Sequence, residues 1–217
     1  MLSLRHGFLY IHIPKTGGNS VQTRLLPLSE DRKTLERHQD GENRFELRGP
    51  YTAQKHADLQ MYHDALPEGL QGLQLLATVR HPFVRAISGY FTPGRWFRKA
   101  ADDRWVQTPP TWDEAAFWDM IDTGKHRSAV SYLTVDGALR LPDIVLRAER
   151  LEADFAACVE ALGLSVEPAL PRLNRSAAPN TQRRRLLASV ALRDAVEARF
   201  AADMDAFDYA PYSLPAT

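Results

Sequence analysis

The 217-residue chain has a single cysteine, Cys158. That excludes an intramolecular disulfide framework and a cysteine-based metal cluster. Its setting, "DFAACVEAL", places it at helical spacing among apolar residues, which reads as a small core side chain. Long apolar runs are also missing. None approaches the ~18–20 residues that cross a bilayer. The apolar stretch Phe8–Ile13 is short and holds His12, so it does not make the hydrophobic region of a signal peptide. A reducing, cytoplasmic setting with no membrane span is the expectation. Net charge is absent too, with 27 Lys+Arg against 27 Asp+Glu. No global field draws nucleic acid, so none is expected as a partner and any basic site is local. There is no internal repeat and no low-complexity tract. What is present is the composition of a globular protein, 44% hydrophobic and 25% charged. The length suits one domain over residues 1–217 that can bury a core without staples.

"GFLYIHI" is rich in β-branched and aromatic residues and predicts a strand. Val21, Leu25 and Leu26 then share a helical face, which Pro27 ends. Residues 28–55 are polar and predict loop with a short strand. "HADLQMYHDALPEG" predicts a short helix stopped by Pro67 and Gly69. "LQLLATV", Leu73–Val79, is a continuous apolar run that fits a buried parallel strand. Pro82 suits the first turn of the next helix, whose buried face is Phe83, Ile87, Tyr90 and Phe91. "TPGRWFRKAADDRWVQTPPT" reads as a loop-like insertion and "WDEAAFWDMIDTG" as a helix. "DIVLRAE" predicts a third strand, followed by a helix carrying Leu151, Phe155, Val159 and Leu162 and capped by Gly163. "PRLNRSAAPNTQRRR" reads as a polar loop. Leu192, Val196 and Phe200 mark a last helix. Strands alternating with helices predict an α/β fold of three layers, a central and mainly parallel sheet flanked by helices.

The turn "PKTGGNS" joins the first strand to the first helix. A helix start has unpaired N–H groups and partial positive charge, which makes an anion site. Gly17 and Gly18 allow close backbone approach to a phosphate. Lys15 adds a charge, and Thr16, Asn19 and Ser20 add donors. An ordinary left-handed turn with a solvated lysine is the plainer alternative. The loop is not G-x-x-x-x-G-K-[ST], because Lys15 precedes the glycines. In "LQLLATVRHPFVRAISGYF", Arg80 ends the buried strand and Ser88 lies on the helix that Pro82 opens. The rise from Pro82 to Ser88 is about 9 Å, so the two side chains can converge on one small anion where open parallel sheets bind ligands. The alternative has Arg80 in a salt bridge and Ser88 bonded to its own helix.

Taken together, "IHIPKTGGNSV" resembles the 5′-phosphosulfate loop of the sulfotransferases, here Pro14 to Ser20. "TVRHPFVRAISGYF" resembles their 3′-phosphate motif, with Arg80 and Ser88 at the family's spacing. "LRAERLEADFAACVEALGL" followed by "PRLNRS" is similar to the family's later strand, helix and Asn-containing loop. The likeness is nearest to the branch of carbohydrate sulfotransferases of the heparan sulfate 2-O type. Asn19 stands where the family often has Thr or Ser, and His81 where it often has Asp or Asn. The resemblance implies a P-loop-type fold and transfer of a sulfuryl group from 3′-phosphoadenosine 5′-phosphosulfate (PAPS) to an acceptor hydroxyl, with 3′,5′-adenosine bisphosphate (PAP) as product. It implies no metal. It also implies that Asn174, Arg175 and Ser176 close over the nucleotide.

Such a transfer spreads charge onto the leaving oxygens, so Lys15 is the expected electrostatic catalyst. The acceptor must lose a proton, and a histidine suits that task. His56, in "QKHADLQ", matches the family's base, and an ordinary imidazole pKa of roughly 6.5 is expected for it. His63 is the second choice and His81 a possible cofactor contact. His6, His38 and His126 read as solvated. Trp96, Trp105 and Trp112 offer faces for a sugar ring or for packing. The acceptor is expected to be a carbohydrate, then a small alcohol or phenol, then a protein tyrosine. A nucleotide kinase or other P-loop phosphoryl transferase, and a non-catalytic nucleotide-binding module, stay open as alternatives.

Overall fold

The computed structural model describes residues 1–36, 39–66, 68–173 and 180–214. The chain begins β1 (Leu2–Ser3), β2 (Phe8–Ile11), α1 (Gly18–Leu25), β3 (Arg32–Thr34), β4 (Glu46–Arg48), α2 (Leu59–Ala65) and β5 (Gln74–Val79). It continues α3 (Pro82–Tyr90), β6 (Phe97–Lys99), β7 (Trp105–Gln107), α4 (Glu114–Asp122), β8 (Thr134–Val135), β9 (Ala138–Leu139) and β10 (Ile144–Arg147). Helices α5 (Leu151–Ala161), α6 (Asn180–Leu187), α7 (Val190–Arg199) and α8 (Ala201–Ala206) complete it. The architecture is α/β, a mainly parallel sheet with flanking helices. The chain divides into two compact units, residues 1–80 with 129–174 and residues 81–128 with 175–217.

The first unit holds the sheet, in the order β1-β2-β5-β10. Strand β5 pairs in parallel with β2, Ile11 opposite Ala77, and with β10, Arg147 opposite Val79. Strand β1 is antiparallel to β2. Side chains alternate across a strand, so Phe8, Tyr10, Leu76 and Leu146 share one face. They pack with Val21 and Leu25 of α1 and with Phe155, Cys158 and Val159 of α5. Burial pushes the Cys158 thiol up to about 11, which suits a core side chain rather than a nucleophile. Because β2, β5 and β10 run the same way, the loops that follow them leave from one edge of the sheet.

The second unit packs α3 against α4, α6 and α7. Its core joins Phe83, Ile87, Tyr90 and Phe91, the four positions the helical spacing marks, with Trp96, Phe117, Val196 and Phe200. Trp96 is thus a core residue, Trp112 is packed against that core, and Trp105 is exposed. His126 is buried edge-on to Phe200, not solvated. At its centre Arg85 meets Asp203 at 3.3 Å, both side chains 1% exposed, and donates to the Arg127 carbonyl at 2.7 Å.

Several elements differ from the sequence reading. Helix α6 occupies the second half of what reads as a polar loop, because Arg183–Arg185 are good helix formers that lead into the buried Leu186 and Leu187. The insertion after α3 contains the hairpin β6–β7. The hairpin β8–β9 turns on Asp136 and Gly137, both with positive φ, as a two-residue type I′ connection needs.

Asp203→Ala strips a buried guanidinium of its carboxylate. It should destabilise the protein by about 3–5 kcal/mol, whereas the double replacement Arg85→Met/Asp203→Leu should cost far less. Urea midpoints of the three proteins check the ordering.

Candidate active site

Between β2 and α1 the chain must turn sharply. Lys15 takes φ 71° and Gly17 φ 87°, and Gly17 precedes the first helical residue without a side-chain cap. Both glycines answer to crowding. A Cβ on Gly17 would stand 2.8 Å from Leu151 Cδ2, and one on Gly18 would stand 2.2 Å from His12 Cδ2 and 2.5 Å from the Tyr10 hydroxyl. The fold itself therefore requires them, besides any approach of a phosphate.

Thr16 is fully buried. Its hydroxyl donates to the Ile13 carbonyl at 2.7 Å, and a hydroxyl has one proton. Thr78 must then donate to Thr16 at 2.6 Å, and Tyr10 to Thr78 at 2.9 Å. The Thr16 hydroxyl, read from the sequence as a ligand donor, spends its proton inside the protein. Asn19 Nδ2 likewise donates to the Asn43 carbonyl at 2.8 Å. Ser20 is buried, with its N–H on the Gly17 carbonyl at 3.1 Å. Pro14 is half-buried. The Lys15 ammonium and the first N–H groups of α1, at Gly18 and Asn19, carry the anion-binding character of the loop.

Arg80 follows β5 and donates from Nη1 to the Lys15 carbonyl at 3.3 Å. Burial, then the like charge of Arg80, pushes Lys15 down to about 8. An electropositive turn of this kind, with a lysine and an arginine at a helix start, fits a phosphate-bearing group. In the second unit, Ser88 is the half-buried residue of α3, whose other eight residues are buried. His81 is engaged within that unit, donating from Nε2 to the Ala210 carbonyl at 3.0 Å and accepting from the Phe83 N–H at Nδ1. It therefore serves as a helix cap and tail anchor. Asn174, Arg175, Ser176 and His38 lie outside the described residues.

His56 is half-buried. Its Nδ1 lies 2.9 Å from the His12 carbonyl, which can only accept, so Nδ1 carries the proton and Nε2 bears the lone pair. The His12 and His56 rings meet edge to face with centroids 4.4 Å apart. Burial pushes His56 down to about 4, helped by the charges of Lys55 and Lys15 and opposed by the bond to His12. The ordinary imidazole value expected from the sequence therefore does not hold. Burial takes His12 well below the usual range as well. His63 lies on α2 with Nε2 3.7 Å from the exposed Asp136. The sequence reading missed Lys55, which is buried with Nζ on the Phe45 carbonyl at 2.8 Å and over the Phe45 ring at 3.7 Å. No periodicity marks it; its only sequence signal is its place beside His56.

A family model described as "Sulfotransferase family" matches residues 1–210. No curated protein matches the chain, and neither does any solved structure. Among the described residues no group of three or more His, Cys, Asp or Glu could hold a metal ion, and no helix is long and apolar enough to cross a membrane.

Gly18→Ala drives a methyl into His12 and should lower stability by about 1–3 kcal/mol through overpacking, measured by chemical denaturation. Acid should do the same by linkage. His56 has a folded pKa below its unfolded one, so its contribution is whole above about 6.5 and is lost as pH falls toward about 4. Urea midpoints should therefore drop across that window, and by less in His56→Asn.

Proposed function

The chain belongs to the sulfotransferase family, and from that premise we propose that it moves a sulfuryl group from PAPS to an acceptor hydroxyl, with a carbohydrate as the first choice of acceptor. One observation carries the reading: a histidine with its tautomer set so that Nε2 bears the lone pair, held within electrostatic reach of the lysine of an anion-binding turn. The family generally uses PAPS, which supplies the activated sulfuryl group and departs as PAP.

The chain's own residues divide the work. Lys15 and the N–H groups at the start of α1 bind the 5′ side and neutralise charge that grows on the leaving phosphate oxygen. Pro14, Thr16, Gly17, Gly18, Asn19 and Ser20 shape that turn, Thr16 and Ser20 through the main chain. Arg80, with Ser88 eight residues on, is assigned to the 3′-phosphate. Arg175 and Ser176 are assigned to closing over the nucleotide. His56 Nε2 takes the acceptor proton as the new O–S bond forms and the bond from sulfur to the phosphate oxygen breaks. Nδ1 stays on the His12 carbonyl throughout. At neutral pH a histidine held near 4 is wholly in its basic form, and a bound anion, by offsetting Lys15, raises its basicity. Likeness to the carbohydrate branch favours a sugar hydroxyl, ahead of a small alcohol or phenol and then a protein tyrosine.

Incubation with labelled PAPS and an acceptor panel tests the reaction, with sulfated product and PAP both followed. PAP should raise the melting temperature far more than AMP; equal shifts would remove Arg80 and Ser88 from the site. Binding of PAP near pH 8 should take up protons, since an anion raises the Lys15 pKa from about 8; calorimetry in buffers of different ionisation heat reads this. Lys15→Ala should lower kcat by about 10²–10³. His56→Ala should abolish most turnover with PAP binding kept, while His63→Ala is mild. The acid limb of kcat/KM should lie near 4, with activity falling as pH drops through it.

A further inference from the structure

The His12 ring and Gln22 have no part in the proposed chemistry, which uses only the His12 carbonyl, yet both are buried beside it. His12 directly follows β2. Its ring is held on four sides. Nδ1 donates to Gln22 Oε1 at 2.8 Å. The Tyr10 ring stacks at 6.2 Å. Gly18 leaves no room for a Cβ beside Cδ2 and Nε2. The His56 ring closes the remaining side at 4.4 Å.

Gln22 is the odd residue of α1. It is fully buried, like its neighbours Val21 and Leu25, where a helix facing a core ordinarily places an apolar side chain. Its Oε1 serves His12, while its Nε2 finds no partner among the described residues. A buried donor left unsatisfied costs stability, so packing alone does not account for a glutamine here. Holding one particular ring in one tautomer does. As an uncharged acceptor, Gln22 also fixes Nδ1–H on His12, and its bond favours the imidazolium too weakly to offset burial, which keeps the ring neutral.

We infer that His12 and Gln22 are positioning residues for His56: the His12 ring is the dry wall against which the base stands, and Gln22 pins that wall to the helix that begins at the anion-binding turn. The inference rests on reading His56 as the base. His12 acts twice on that base, by its carbonyl, which sets the tautomer, and by its ring, which packs against one side of the imidazole. The groups that act on His56 are Lys55 beside it in the chain, Lys15 from the turn, His12 from the end of β2 and, least, the Met1 ammonium. None of these but His12 forms a wall, so the others keep their charge effects when His12 is changed.

The test is an NMR titration of the His56 ring in the full chain, alongside the pH profile of kcat/KM. In His12→Ala the carbonyl remains but the wall is gone. The His56 midpoint should climb from about 4 toward the ordinary value of roughly 6.5, and the acid limb should climb with it. His12→Phe keeps a ring in place, and the midpoint should stay low. An unmoved midpoint in His12→Ala, or an equal rise in His12→Phe, overturns the wall. A midpoint that rises without the acid limb following leaves the wall standing and removes His56 as the base. Gln22→Met keeps the wall and removes the pin, which guards against His12→Ala failing to fold. Nitrogen shifts should then report His12 leaving the pure Nδ1–H form, with kcat lowered several-fold and the donor KM little changed. A His12 tautomer and a kcat that both match the parent overturn the pin.

Discussion

The hydroxyl chain from Tyr10 through Thr78 and Thr16 to the Ile13 carbonyl holds the site in place. It links β2, β5 and the turn after β2 by three short bonds, all buried. Its proton order has one solution, because the carbonyl at its end can only accept. Such a chain polarises along its length and is intolerant of a missing member. It keeps the turn against the sheet while Lys15 and Gly17 take positive φ, a conformation that strains a lysine and that the surroundings must enforce. The Lys15 carbonyl is then where Arg80 meets it. Removing the Thr78 hydroxyl would leave Tyr10 and Thr16 each with one unmet group inside the core.

A chain with no net charge builds its positive site locally. Lys15, Lys55 and Arg80 come from three separate stretches, and the first two are pushed down to about 8 chiefly by burial. Lys15 and Arg80 repel one another. That repulsion is stored by the fold and relieved by an anion, so binding and folding share one electrostatic term. Lys55 differs in kind. Its ammonium lies over the Phe45 ring and is held by the Phe45 carbonyl, so its charge acts from within the protein rather than by touching a ligand.

The strands at Phe8–Ile11 and Gln74–Val79 were legible because continuous apolar runs bounded by turns leave few alternatives, and Pro82 announced α3. The turn itself was legible as a turn. Its glycines were read toward a phosphate, whereas Gly18 also answers to a ring six residues upstream, a contact that exists only once the chain has doubled back. His56 was legible as a residue but not in its basicity, since burial is a property of the fold. Lys55 needed the Phe45 carbonyl, ten residues away, to acquire any meaning. Helix α6 was hidden by Arg183–Arg185, whose charges suggest a loop while their propensity suggests a helix. Asp136–Gly137 carried its hairpin signal in plain sight, in a stretch too short to show alternation.

On the proposed reading, the same cations that favour an anion weaken the base. Lys15 and Lys55 both act to lower His56, and a general base works best with a pKa near the working pH. The conflict resolves in time. Before the donor arrives, a depressed His56 holds no proton and wastes none of the protein on an inactive form. Once an anion sits at the Lys15 turn, part of the field on His56 is cancelled and the imidazole becomes a stronger base when a proton must be taken. On the proposed reading, basicity is thus coupled to occupancy of the Lys15 turn through charge.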